Sequence, residues 1–294
     1  MTRTCRILVA LDGTAASEAA LSEVERISVG EASVHFLHVV PMLPLSVDGT
    51  SAAVMAGHDR ALAYLGGLRE RLPDVRGLDL IRTGDPAEAI LQVVREFDID
   101  LVAMGTHVRT DVAKGSLGSV AERVARQAQP PVLLKRPGVS PTQPTLRRIL
   151  VPLDESAGSL SIIPAARDMA LRTGAEMVFL HVSECLEALL PPRGVARETS
   201  VDPKQKLLNL AARLEKTDAV FWQTIAEGDA VEEILAHADT LDADLIAMVT
   251  PAGEGLQDTL VGRSAMAVLG RTDRAVFLQR PVAPPPVSKV WKYQ

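Results

Sequence analysis

Two glycines, Gly105 and Gly118, with the residues that follow them, Thr106 and Ser119, bracket a loop that leaves an aliphatic run and enters a segment of helical period. Glycine lets a backbone approach a ligand closely. A helix starting near Ser119 turns unpaired N–H groups and the positive end of its dipole outward, and together these features make a cradle for an anion. Asp12 ends another aliphatic run, RILVALD, and Val39 stands at the end of a third, HFLHVV. In an open α/β sheet, ligands sit beyond the carboxyl ends of the strands, where strand order reverses, and the ends of the first, second and fourth runs are the three that would meet there. Each residue also has a plainer use. Asp12 can cap the first helix or satisfy loop amides, the two glycines can serve tight turns, and Ser119 can cap its helix in a box with Glu122. Both sets of uses stand open at this level.

Other chemistry is missing from the pattern. There is no GxxxxGK[ST] loop, no GxGxxG after the first run and no GxSxG elbow; the place after the first run reads DGTAASEA, and its later copy DESAGSLS. The six histidines show no HxxxH or comparable ligand spacing, so a metal site is not expected. His107 lies by the candidate loop without a carboxylate in register and reads as a solvated residue. His38 and His181 hold equivalent places in strands and read as packed or locally hydrogen-bonded. The two cysteines, Cys5 and Cys185, one in each half, cannot build a disulfide framework and read as buried thiols.

The elements that position these residues come twice. RILVALD at 6–12 returns as RILVPLD at 148–154, HFLHVV at 35–40 as VFLHVS at 178–183, and GDPAEAIL at 84–91 as GDAVEEIL at 228–235. DLVAMGT at 100–106 returns as DLIAMVT at 244–250, and PVLLKRP at 131–137 as AVFLQRP at 275–281. Five segments in one order, at offsets of 142 to 144, mark a duplicated domain. The expected parts are a domain at 1–137, a linker at 138–147 within the proline-bearing stretch PGVSPTQPTLR, a second domain at 148–281 and a Pro-rich tail at 282–294 carrying Trp291 and Tyr293.

Within each copy the runs RILVAL, HFLHVV, LDLIR, DLVAMG and PVLLK lack polar alternation, as strands buried on both faces of a parallel sheet do. Between them Ala61, Leu65, Leu68 and Leu72, then Ile90, Val93, Val94 and Phe97, fall at helical spacing. The expected fold is therefore α/β: two tandem doubly wound domains, each a five-stranded parallel sheet with helices on both faces. Asp85, Pro86 and Glu88 read as N-cap, N1 and N3 of the third helix. The segments 41–58 and 184–202 mix Pro, Gly and small residues and read as loops or loose turns. The last strand of each copy is an edge, and its unpaired N–H and C=O groups invite another edge.

Composition agrees with a globular chain of 294 residues: 47% hydrophobic and 23% charged is too apolar for disorder, and no run approaches the ~20 residues of a membrane helix. A cytoplasmic location is expected. A formal charge of −6, with aromatics at only 3%, argues against nucleic-acid binding, which needs a basic face and stacking platforms.

On these residues the chain resembles the universal stress protein family in its tandem, two-domain form. The resemblance covers residues 4–137 and 146–281 and rests on ILVALDGT, HVV, GDPAEAI, DLVAMGTHVRT and LGSVAERVARQAQPPVLL in the first copy. It implies a Rossmann-like, adenine nucleotide alpha hydrolase-like fold and a stress-response regulator with no catalysis beyond slow incidental ATP hydrolysis. It also implies ATP or AMP as ligand, with no metal other than Mg accompanying the nucleotide. Carried over residue by residue, the ligand contacts are Asp12, Val39, Gly105, Thr106, Gly118 and Ser119. The family's Gly-x-x-Gly-x9-Gly-Ser/Thr pattern is broken at its second glycine, which is Val108 here; a β-branched residue at positive φ would cost ~1–2 kcal/mol or more. In the second copy Val249 and Ala252 replace the two glycines and Gly262–Arg263 the Gly–Ser pair, while Asp154, Val182 and Gly262 remain. That implies a degenerate C-terminal domain, with Arg263 and Arg271 left for some other anion. In the family the last strand commonly pairs domains, which implies intramolecular domain pairing here and leaves a homodimer and an unknown protein partner open. The alternative function is a nucleotide-free interaction or dimerisation module of the same fold.

Overall fold

The computed structural model describes residues 4–28, 32–42, 50–106, 118–138, 141, 143–153, 158–183, 221–250 and 260–281. His107, Val108, Asp154, Cys185, the segment 184–202, Ala252 and the tail 282–294 lie outside the described residues. The first half runs β1 (Cys5–Leu11), a 3-10 turn (Ser17–Ala20), α1 (Leu21–Ile27), β2 (Ala32–Val40), α2 (Thr50–Arg71), β3 (Asp79–Thr83), α3 (Pro86–Glu96), β4 (Leu101–Gly105), α4 (Ser119–Gln127) and β5 (Val132–Lys135). The second runs β6 (Arg148–Leu153), a 3-10 turn (Ser159–Ile162), α5 (Ile163–Thr173), β7 (Glu176–Ser183), β8 (Phe221–Glu227), α6 (Ala230–Thr240), β9 (Leu245–Val249), α7 (Leu260–Arg271) and β10 (Ala275–Gln279).

Each half pairs its strands in parallel in the order 3-2-1-4-5, with β1 between β2 and β4, so strand order reverses between β1 and β4 as the alternation of elements predicts. The continuous aliphatic runs are central: Ile7, Leu8, Val9, Val102, Ala103, Leu133 and Leu134 are fully buried. β3 departs from the expectation of burial on both faces. It is the outer strand of its half, and only Leu80 is buried in it. The third helix starts as read: Asp85 is its N-cap, accepting from the Glu88 N–H at 2.8 Å, with Pro86 at N1. Asp229 caps α6 in the same way, through the Val231 and Glu232 N–H groups at 3.0 Å. The segment 41–58 is in part helical, since α2 begins at Thr50.

The two halves form one ten-stranded sheet. β5 and β10 pair antiparallel, with Leu133 opposite Phe277 at the centre, flanked by Val132–Leu278 and Leu134–Val276. Leu133 and Phe277 are equivalent residues of the duplication at the offset of 144, so a pseudo-twofold axis passes between them. The pairing the edge strands invited is therefore made within the chain, and it leaves both strands wholly buried.

Side chains lock the seam on one side of that axis. Arg26 of α1, 4% exposed, donates to Glu23 at 2.9 Å, to the Asp244 carboxylate and to the Thr145 carbonyl at 2.9 Å. Lys135 donates to the Asp273 carbonyl, and Arg136 to the Gly270 carbonyl at 2.8 Å. Burial pushes the Glu23 carboxyl up and the Lys135 ammonium down, which shows how fully these charges are withdrawn from water.

The second half departs from the first at its own switch point. Pro152 stands in β6 where β1 has Ala10, and it has no N–H to give. β6 pairs with β9 only at Ile149–Leu245 and Leu150–Ile246, whereas β1 and β4 pair from Ile7–Leu101 to Ala10–Met104. Among the described residues no helix is long and apolar enough to cross a membrane.

Removing one member of a buried charge cluster leaves the remaining charges less fully compensated. Asp244→Ala, which leaves Arg26 with Glu23 alone as counter-charge and takes the acceptor from the Arg147 and Arg148 N–H groups, is expected to lower the stability of the full chain by about 2–4 kcal/mol, read as a shift of the urea unfolding midpoint at constant slope.

Candidate functional site

All six residues singled out from the sequence line one cavity of about 370 Å³ at the carboxyl ends of β1, β2 and β4: Asp12, Val39, Gly105, Thr106, Gly118 and Ser119. Leu37, Ile90 and Met104 make its apolar side, and Asp12, Ser17, Thr106 and Ser119 its polar side. The volume falls in the ~300–1,000 Å³ range of small-molecule sites.

Gly105 is what brings these pieces together. A Cβ there would lie 1.7 Å from the Ala16 carbonyl oxygen, so the end of β4 can rest on the turn after β1 only if the residue has no side chain. Its φ is not in the left-handed region, and the need for glycine comes from close approach rather than turn geometry. The second half has Val249 at this position, fully buried, and cannot make the same approach.

The loop after β1 is held by short local bonds. The Asp12 carboxylate accepts from the Thr14 N–H at 2.9 Å and the Thr14 hydroxyl at 2.6 Å. The Asp12 N–H donates to Ser17 Oγ at 3.2 Å, and the Ser17 hydroxyl donates to the Thr14 carbonyl at 2.8 Å. Of the plainer uses for Asp12, satisfying loop amides is therefore realised. Capping is not, because Ala16 takes the N-cap position of the 3-10 turn.

The start of α4 corrects the sequence reading. Gly118, at φ −58° and ψ 137°, is the N-cap, Ser119 is N1, and no side chain bonds to the cap, so the capping box of Ser119 with Glu122 is not formed. The Gly118 carbonyl instead accepts the Glu122 N–H at 2.9 Å in the helical ladder. The first turn of α4 thus lines the cavity with no side-chain acceptor for its N–H groups among the described residues, and the exposed Ser119 hydroxyl stands beside them. Thr106, 2% exposed, gives its N–H to the Lys135 carbonyl at 3.0 Å, while its hydroxyl has no hydrogen-bond partner in the structure. A buried hydroxyl without a partner costs about 1–3 kcal/mol; the equivalent Thr250 hydroxyl of the second half is likewise buried without a partner, and Thr106 differs from it in lining this cavity.

Ser17, Leu37 and Ile90 were not singled out from the sequence. Ser17 carried a signal in its copy, since Ser159 holds the same place in the second half and is likewise buried. The apolar wall carried none beyond its periodicity. His38, on the other side of β2 from Leu37 and Val39, packs edge-on against Tyr64 at 5.9 Å and is thus a packed residue, and its Nδ1 is buried without a partner in the structure. Burial holds it below the ordinary imidazole range, against the opposing pull of the Asp12 carboxylate and the Leu11 carbonyl. Burial also lowers His35, with Arg69 and Arg6 adding to the effect. In the second half Arg271 is held by both oxygens of Glu232, at 2.6 and 2.9 Å, and does not offer itself to an anion. The Arg263 side chain lies outside the described residues. Among the described residues no cluster of three or more His, Cys, Asp or Glu could hold a metal.

Comparison with known proteins gives a consistent result. Residues 4–136 and 145–280 each match the universal stress protein family. A universal stress protein of Mycolicibacterium smegmatis is 31% identical over 135 residues, 45% of this chain and 45% of that protein. A second, from Methanothermobacter thermautotrophicus, is 43% identical over 56 residues, 19% of this chain and 38% of that one. The matched segments span less than half the length of these curated relatives. The crystal structure of a universal stress protein from Archaeoglobus fulgidus superposes over 94% of this chain and 98% of its own, with a TM-score of 0.72 at 19% identity, a likeness of fold.

Two outcomes follow from this geometry. Gly105→Ala forces β4 and the Ala16 carbonyl apart and is expected to cost about 2–4 kcal/mol in chemical unfolding. Burial lowers the His35 and His38 imidazoles in the folded chain, so below their ordinary value the unfolded chain binds more protons and stability rises with pH through that window. Urea midpoints measured between about pH 5 and 7 should show this slope, and His35→Gln should reduce it.

Proposed function

This chain belongs to the universal stress protein family, and we propose that its N-terminal half binds an adenine nucleotide, ATP or AMP, as a regulator rather than a catalyst, with the C-terminal half as a partner that has lost the site. The observation that carries this reading is the coincidence in one cavity of an apolar wall, a buried hydroxyl without a partner and the uncapped start of α4. The base suits the apolar side by Val39, Leu37 and Ile90, where a flat ring removes apolar surface from water. Phosphate suits the start of α4, where the N–H groups of Ser119 and Val120 and the positive end of the helix supply an anion site that involves no side-chain cation among the described lining residues. Asp12, in the same lining, is a suitable acceptor for the ribose hydroxyls or for Mg accompanying a triphosphate.

A second reading, a nucleotide-free interaction module, is favoured by one specific residue: Val108 stands where the family pattern has its second glycine. Isothermal titration of the full chain with ATP and with AMP at submillimolar concentration separates the two. Binding heat for either nucleotide supports the first reading. No heat in the wild type, with binding created by Val108→Gly, establishes the second.

Thr106→Val tests the role of the hydroxyl. Removing a buried group that has no partner should raise stability by up to about 1 kcal/mol in the ligand-free chain, while nucleotide affinity falls about tenfold or more, because the ligand group that met the hydroxyl is left unpaired. Phosphate release from ATP is expected to match a protein-free control.

A further inference from the structure

α2 has one face that the fold covers and one that it leaves in water. The helix packs on β2 and β3 with Gly57, Ala61, Leu65 and Leu68 buried, and at about 100° per residue the opposite face carries Met55, Ala56, Asp59, Leu62 and Ala63, all exposed. Charged and polar residues belong on that side of a surface helix, and here a single carboxylate stands among apolar side chains. Met55 is 67% and Leu62 58% exposed, two turns apart on one line of the helix. The exposure is concentrated rather than scattered. Of the five large hydrophobic residues that stand exposed among the described ones, Met42, Met55, Leu62 and Leu78 lie on α2 or beside its two ends, where Gly57 rests on Val40 and Arg69 donates to the Leu78 carbonyl at 3.1 Å.

The polar side chains of the helix divide in the same way. His58 meets Thr83 at 2.8 Å, Tyr64 donates to Glu18 at 3.0 Å, Arg69 to Asp79 at 2.7 Å and Arg71 to Glu18 at 2.8 Å, and these four tie α2 to its own domain. Asp59 and Arg60, adjacent and exposed, make neither a hydrogen bond nor an ion pair among the described residues. An acid followed at once by a base is self-complementary. When a second copy of the helix lies antiparallel with a twofold axis between these two residues, Asp59 of each helix faces Arg60 of the other. The same register sets Ala56 against Ala63 of the second copy and Met55 beside its Leu62, so apolar surface meets apolar surface around the two ion pairs.

We infer that the outward face of α2 is a self-association surface whose occupant is α2 of a second copy of this chain, packed antiparallel about a twofold axis between Asp59 and Arg60. A twofold contact uses one patch twice and closes on itself, so the assembly is a dimer of full chains. Withdrawing Met55 and Leu62 of each copy from water drives the association, and the ion pairs fix its register and direction more than they add affinity. The surface stands at the outer end of the ten-stranded sheet, over β2 and β3, while the seam of β5 and β10 lies at the other end of the same half. The dimer therefore leaves the pairing of the two halves undisturbed, and the inference does not rest on nucleotide binding.

The test is sedimentation velocity of the full chain from about 1 to about 100 µM, with a shift toward twice the chain mass expected as concentration rises. Leu62→Glu, at an exposed position, is expected to leave the circular dichroism of the folded chain unchanged and to weaken association about tenfold or more. Arg60→Asp sets an acid against Asp59 of the second copy and is expected to weaken association as well. Adding Asp59→Arg to that variant is expected to restore it, because the ion pairs are then exchanged rather than lost. A wild type that stays monomeric throughout, a dimer that withstands Leu62→Glu, or a charge exchange that fails to restore association would overturn the inference.

Discussion

The absence of a single Cβ at Gly105 is the constraint on which the candidate site depends. With no side chain there, the end of β4 lies against the Ala16 carbonyl, and the turn after β1 is drawn over the switch point of the sheet. That contact sets the distance between Asp12 and Ser17 on one strand end and Thr106 on another, and hence a cavity of about 370 Å³. The second half shows the consequence of losing it. Val249 cannot take the same approach, and Pro152 ends the β6–β9 ladder two residue pairs after it begins. Both changes fall at the one place in a doubly wound sheet where ligands bind, while the buried strands around them keep their burial and their order.

Duplication lets one copy lose its site without losing the protein. The C-terminal half still supplies β10, which covers the edge that β5 would otherwise expose, and it supplies Asp244 and Thr145 to the Arg26 guanidinium. Withdrawing these charges from water is costly, as the raised Glu23 and lowered Lys135 show, and the geometry of the bonds across the seam offsets that cost.

Much of the architecture was legible in the sequence because burial on both faces of a parallel strand leaves an unbroken aliphatic run, and because the same five runs occur twice. The antiparallel contact of β5 with β10 followed from the need to cover an edge. β3 misled, although Asp79 and Arg82 in the run LDLIR carry the signal of an outer strand, which is where the strand order puts it. At the site, the six residues that ring the cavity could be found from strand ends and glycines. Their reasons were less visible: Gly105 answers to the carbonyl of Ala16, far earlier in the chain, and Ser119, in a sequence pattern that suits a cap, stands one residue inside its helix. The unpartnered Thr106 hydroxyl leaves no mark in a sequence, because partnering is a property of the folded neighbourhood.

The most direct measurement uses the two equivalent threonines as reporters, one in each half: Thr106 and Thr250, both buried and both with a hydroxyl lacking a partner in the structure. With their methyl groups isotopically labelled, AMP is titrated into the full chain and both resonances are followed. The predicted result is a saturable shift at Thr106 with Thr250 unmoved. A saturable shift at Thr250, or none at Thr106 at millimolar AMP, would contradict a nucleotide site confined to the N-terminal half.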